Sequence, residues 1–221
     1  GRAGLGDVGF EIDDLDFGFA VITDGVHTWA SGKATADSAS FEGIDGITAK
    51  ATDLQVLINT GAFSLLGYDP GKAIDYSASA LQLSDDVTLG PEMHREMIRV
   101  DAALDFNLFG FMSMNGDFAF EKFTQNVELQ DGTNVEADVL ALSATDLNAF
   151  AGLSMGSYKL GFELEGVDLA LALFQDRADA GNRWTSLKAT AAYGGFVGVD
   201  GLVIDGHNLA LNLNQGSAGV V

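Results

Sequence analysis

Hard oxygen ligands are the side chains of this sequence best suited to chemistry. Asp13, Asp14 and Asp16 stand within four residues, Asp85 and Asp86 are adjacent, and Asp45 and Asp200 each precede a glycine. Carboxylates gathered near turns are donors for calcium, which takes roughly six to eight oxygens. Their spacing forms neither an EF-hand loop nor the Gly-Asp nonapeptide of calcium β-rolls. Calcium on these seven aspartates is therefore one expectation, and solvated turn carboxylates favoured by backbone geometry are the other.

Other chemistry finds less support. Gly152-Leu153-Ser154-Met155-Gly156 matches the nucleophile-elbow pattern, which needs a strand, a strained turn and a helix. The residues from Tyr158 to Phe162 read as another strand, so a turn between strands is expected. Gly4-Leu5-Gly6-Asp7-Val8-Gly9 matches a dinucleotide pattern, yet a strand follows where a helix N-terminus should hold the pyrophosphate. His27, His94 and His207 are scattered, without zinc-ligand spacing. The absence of cysteine excludes disulfides and thiol catalysis. A carboxylate pair for glycoside cleavage is defined by separation in space, and no basic or aromatic cluster to hold a sugar is visible. The sequence reads as a non-enzyme with no catalytic or cofactor residues.

Charge narrows the partners. Eleven basic against 32 acidic residues give a net charge of −21. Nucleic acid needs Lys and Arg to neutralise phosphate, and an anionic membrane surface repels such a chain. No run reaches the ~18 apolar residues of a spanning helix, so no membrane insertion is expected.

The elements that must position these residues have a period of two. Residues 167–174 read Val-Asp-Leu-Ala-Leu-Ala-Leu-Phe, and 104–112 and 117–123 alternate likewise. Asn115-Gly116, Asp131-Gly132 and Asp69-Pro70-Gly71 carry turn signals, the first being a two-residue hairpin signature. Four strands have a polar break between two alternating runs: Ala51-Thr52-Asp53, Ala144-Thr145-Asp146, Glu165-Gly166-Val167-Asp168 and Asp205-Gly206-His207-Asn208. Such breaks predict bulges or corners. Many strands read as Leu on one face and Ala or Gly on the other, which would let a further layer approach. Pro91 to Ile98 is the one stretch with a helix start, equally readable as a strand kink.

Repetition is the strongest signal. Trp29, Ser31, Lys33, Ala34, Thr35 and Ala36 return as Trp184, Ser186, Lys188, Ala189, Thr190 and Ala191, a shift of 155. Residues 29–61 share 13 identities in 33 positions with 184–216, without a gap. Gly9-Phe10-Glu11 and Asp16 match Gly161-Phe162-Glu163 and Asp168 at a shift of 152. The difference falls at Arg177-Ala178-Asp179-Ala180-Gly181-Asn182-Arg183, which should be a surface loop. Residues 1–66 then form the C-terminal part of one repeat. Residues 67–221 form a second, in which 67–152 are seen once and 153–221 match 1–66. A chain out of phase with its repeat points to a tandem array; a duplication inside one domain is the other reading.

Leu108-Phe109-Gly110-Phe111 with Gly116-Asp117-Phe118-Ala119-Phe120-Glu121-Lys122 resembles repeats of very large bacterial surface proteins, some with an LEPR-XLL-type export signal. So do Trp184 to Ala191 with Phe196-Val197-Gly198-Val199-Asp200-Gly201-Leu202, and Ala144 to Gly152. The resemblance implies a secreted or cell-surface location and a structural or adhesive role. Strand edges and Ala or Gly faces point to neighbouring repeats of the same protein as partners, and a surface glycan is a further candidate. It supplies no catalytic residue.

The expected fold is all-β, repeat-built and elongated: a β-solenoid or a long twisted antiparallel meander or sandwich, with at most one short helix. The expected function is a structural module of a filament, matrix or adhesin stalk. Two alternatives stand beside it, an outer-membrane β-barrel and a carbohydrate-binding or carbohydrate-cleaving β-helix module. Against the barrel are four Tyr and two Trp, too few for aromatic girdles, a terminal Val221, and a lumen face that would consist of Ala and Leu.

Overall fold

The structure is a computed structural model that describes residues 1–5, 8–64, 67–69, 72–155 and 158–216. In chain order its strands are β1 (Arg2–Leu5), β2 (Val8–Thr23), β3 (Thr28–Glu42), β4 (Ile47–Asn59), β5 (Ala62–Ser64), β6 (Gly67–Asp69) and β7 (Leu81–Gln82). There follow β8 (Thr88–Leu89), β9 (Met97–Leu108), β10 (Met112–Glu128), β11 (Asn134–Met155), β12 (Tyr158–Asp176), β13 (Arg183–Val197) and β14 (Ile204–Gly216). The fold is all-β and antiparallel. One sheet runs β1-β2-β3-β4-β9-β10-β11-β12-β13-β14, a meander interrupted only between β4 and β9. It is not closed: among the described residues nothing pairs with the outer edge of β14.

The described residues of the interruption between 60 and 96 carry the short strands β5 to β8 and fold over one face of β2, β3, β4 and β9. There it makes the one buried cluster of this kind among the described residues: Leu57, Tyr76, Leu89, Met93 and Met97, flanked by Ala20, Ile22, Ile74, Leu81 and Leu83. Polar ties fix it to the sheet. Asn59 is buried and donates from Nδ2 to the carbonyls of Ile74 and Arg95, each at 2.8 Å. Its Oδ1 accepts from Ser31 Oγ at 2.9 Å. Lys33 pairs with Glu92 at 3.0 Å. Gly18 lies beneath the insertion, where a Cβ would stand 2.8 Å from Leu83 Cδ1.

Several expectations need correction. Asn115-Gly116 is not a hairpin turn but lies inside β10, whose ladder to β9 runs from Met112↔Leu108 to Phe123↔Met97. The turn is Leu108–Phe111, closed by the Phe111 N–H donating to Leu108 O at 2.9 Å. Phe109 and Gly110 both have positive φ, 50° and 69°, as a type I′ turn requires. Gly116 instead sits at a register shift against β11, where a Cβ would come within 2.8 Å of Leu147 Cα. Pro91 to Glu96 forms a turn and bends, and Met97–Ile98 already belong to β9; no helix occurs among the described residues. Asp131-Gly132 is a turn, and Arg177 to Asn182 is a loop between β12 and β13. Pro70 and Gly71 lie outside the described residues.

Candidate functional site

The seven aspartates fall in four separate places. Asp13, Asp14 and Asp16 lie in β2, Asp45 in the β3–β4 turn, Asp85 and Asp86 between β7 and β8, and Asp200 in the β13–β14 turn. Among the described residues no group of three or more His, Asp or Glu is arranged to hold a metal ion. Hydrogen bonding accounts for several nearby groups instead. Ser38 Oγ donates to Asp13 Oδ2 at 3.3 Å, and Ser84 Oγ accepts from the N–H groups of Asp86 and Val87. The Asp45 and Asp200 turns close alike, with Ile47 N–H to Ile44 O and Leu202 N–H to Val199 O, both 3.1 Å.

The polar breaks of four strands are kinks in the sheet. Asp53, Asp146, Gly166 and Asn208 all have left-handed backbones with φ between 50° and 56°, and Asp14 in β2 has φ 48°. The ladders shift register at Thr52/Gln55 and around Leu147. Neighbouring polar side chains satisfy the displaced amides: Asp146 N–H donates to Asp168 Oδ1 at 3.3 Å and Gly166 N–H to Asn148 Oδ1 at 3.1 Å. The registers align these kinks across the sheet, so the break is a transverse crease.

Catalytic patterns do not acquire a catalytic setting. Ser154 lies in β11, ahead of the hairpin to β12, while Gly156 is outside the described residues. Gly4 and Gly9 pair across the β1–β2 hairpin, and Gly6 and Asp7 are likewise outside. His27 holds Asp24 across a turn at 3.1 Å, His207 packs at a tilt against Tyr193 with ring centroids 5.2 Å apart, and His94 lies in the bend before β9.

What the fold does build is a sheet with two unlike faces. Partners in an antiparallel ladder share a face, so the registers sort the side chains. One face carries Phe17, Phe19 and Val21 of β2, Val56 and Ile58 of β4, Val100 and Leu104 of β9, Phe118 and Phe120 of β10, and the leucine rows of β11, β12 and β14. The opposite face carries Asp16, Thr35, Gln55, Arg99, Asp101, Glu121, Ser143, Asp168, Lys188, Asn212 and Asn214, together with Leu57 and a row of Phe123, Val139, Phe174 and Trp184. Every large apolar side chain that is exposed within β2, β4 and β9 to β14, apart from residues at strand ends, lies on the first face; Phe17 is 74% exposed, Phe162 63% and Leu211 56%. The leucine rows thus lie on the first face, while alanine stands among the polar residues of the opposite one. Val221 lies outside the described residues.

The sheet curls about its polar face. Val127 to Asp131 and Asn214 to Gly216 line one groove of about 500 Å³, although β10 and β14 are four strands apart, about 19 Å on a flat sheet. Beside it a groove of about 750 Å³ crosses β9 to β14. Its floor is Ala119, Ala141, Ala170 and Ala172, and Arg99, Glu121, Lys188 and Asn212 stand around it. Arg99 is pinned by Asp101, Nε to Oδ2 at 2.7 Å, which raises its pKa. The Ala face expected to receive a further layer is thus a groove floor. Sequence reading passed over these polar residues because they are far apart in the chain; alternation of Arg99 with Asp101 was the only local sign of a shared face.

Positions that correspond under the shifts of 152 and 155 have matching conformations. Phe10 packs on Phe41 at 5.3 Å and Phe162 on Phe196 at 5.0 Å. Ser31 donates to Asn59, and Ser186 to Asn214, both at 2.9 Å. Gly43 and Gly198 share φ 96°. The pairs Ala3↔Phe10, Gly4↔Gly9 and Leu5↔Val8 of β1–β2 reproduce Ala151↔Phe162, Gly152↔Gly161 and Leu153↔Leu160 of β11–β12. No protein-family model, no curated protein and no solved structure matches the chain.

Proposed function

We propose that the chain is a structural repeat module of a long secreted or cell-surface protein, in which successive repeats prolong one antiparallel sheet edge to edge. The observation that carries this reading is the register of β1. This four-residue strand pairs with β2 as the end of β11 pairs with β12, so it occupies the place of a preceding repeat's β11. The other edge supports the same logic. β14 corresponds to β4, and the outer edge of β4 receives β9; the outer edge of β14 is the place for the next β9-like strand. Open edges template such pairing. The partners are neighbouring repeats, and the work is span and stiffness. Residues 1–66 and 67–221 are then successive portions of the array.

The test is a chain extended by one further repeat, compared with this one by small-angle scattering and electron microscopy. A single particle lengthened along the sheet direction supports the proposal. Two separately tumbling beads joined by a linker would refute it.

A further inference from the structure

We infer that the apolar face of the sheet contacts the acyl chains of a zwitterionic phospholipid bilayer. Composition is the first support. Along this face β2 reads Val8, Phe10, Ile12, then after the kink Leu15, Phe17 and Phe19, without a charged residue. The face stays apolar across β9 to β14 until two adjacent rows, the first holding Lys122, Thr185 and Gln215 beside Leu140 and Leu173, the second Thr124, Asp138, Gln175 and Arg183. An apolar band ending at a polar rim is the outward pattern of lipid-facing strands.

Dimensions agree. From Ile98 to Leu108, β9 makes ten residue steps, about 34 Å along an antiparallel strand. At the ~45° tilt of membrane strands this is about 24 Å of height, close to the ~25 Å apolar band of lipid-facing sheets.

Shape decides between occupants. The sheet curls about its polar face, so the apolar face is convex over β9 to β14. Two rigid convex faces touch over a small patch, whereas fluid acyl chains follow the curve. The surface to be covered is large: the chain exposes 13563 Å², while a compact monomer of its 23.1 kDa exposes about 9,700 Å². The net charge of −21 does not oppose this contact, because the carboxylates sit on the opposite face, at the crease and in turns, with Glu128, Glu136 and Asp138 in or beyond the polar rim of the apolar face. It does make a zwitterionic layer the fitting one. Open strand edges are costly in hydrocarbon. Completion of the wall by neighbouring strands rests on the proposed edge-to-edge repeat, while the identity of the covered face does not.

The chain contains no cysteine, so single labels report cleanly. Nitroxides placed through Leu171→Cys and Leu211→Cys mark the apolar face, and Ala172→Cys and Asn212→Cys the polar face. The four variants, with sheet content checked by circular dichroism, are mixed with dioleoyl phosphatidylcholine vesicles and floated. The expected result is co-flotation, with an oxygen-to-nickel collision ratio several-fold higher at 171 and 211 than at 172 and 212. Chain left in the aqueous fraction, with all four labels equally open to nickel, overturns the inference. Dimers in buffer with labels 171 and 211 shielded from both reagents also overturn it, and assign the face to a second copy. The same labels in the chain extended by one repeat, whose added strands cover the β14 edge, give the same two outcomes, and scattering from that chain reads separately how repeats join.

Discussion

Asp24 is held by its own turn. The N–H groups of His27 and Val26 donate to its Oδ1 at 2.7 and 2.8 Å, and the His27 ring approaches Oδ2. The His27 backbone hydrogen bond first, then that of Val26, lowers its pKa to about 2. Because the folded value lies below the ordinary carboxylate value, the stability it contributes is present above about pH 4. That contribution is lost as pH falls toward 2. Carboxyl titration by NMR should show the depressed pKa, and Asp24→Asn should remove the matching acid-side loss of melting temperature. Asp75 is lowered first by the Ser77 hydroxyl and then by the Ser77 N–H, and Asp131 first by the Thr133 N–H; both should follow the same sign. The two copies of one pair give a second comparison. Asn59→Leu leaves Ser31 and the carbonyls of Ile74 and Arg95 without a buried partner, which should cost about 2–3 kcal/mol. Asn214→Leu alters an exposed side chain with one partner and should change stability by less than about 0.5 kcal/mol. Urea unfolding of both variants measures the contrast. Ser31 and Asn59 recur as Ser186 and Asn214 at the shift of 155, but their pairing and its burial in one copy alone were not legible, because the strand ladder sets the first and the insertion the second.

The crease shows how strands accommodate what their composition resists. Asp53, Asp146 and Asn208 adopt left-handed backbones, which Asp and Asn tolerate better than other non-glycine residues. Asp146→Val should therefore destabilise by about 1–2 kcal/mol, and Asp146→Gly should come close to neutral. Thermal unfolding of the two variants tests this, and the same ordering should hold at Asn208. The interrupted alternation made these kinks readable, since a strand that changes face must hold an extra residue. The hairpin position was not readable in the same way. Asn115-Gly116 has the better turn residues, yet the ladder continues through it and turns at Phe109-Gly110. Glycine was needed at 116 for the close passage of β11, a demand that local turn chemistry does not express.

At the scale of the molecule, stability is unevenly distributed. Met93 is fully buried in the cluster beneath the insertion, so Met93→Ala should cost about 2–5 kcal/mol. Leu211 is 56% exposed on an uncovered face, and Leu211→Ala should cost less than about 1 kcal/mol in aqueous buffer. Chemical denaturation separates the two, and a larger cost for Leu211→Ala in lipid than in buffer would accord with a covered face. By itself the sequence determined an all-β chain, because period-two alternation with dispersed glycine leaves no stripe for a helix. It also determined the likeness of 29–61 to 184–216 and the places where strands kink. Only the tertiary structure decided that the meander stays one open sheet, since edge pairing joins residues far apart in the chain. The same long-range registers decided which side chains share a face, separating the apolar surface from a polar one that alternation within a single strand cannot orient.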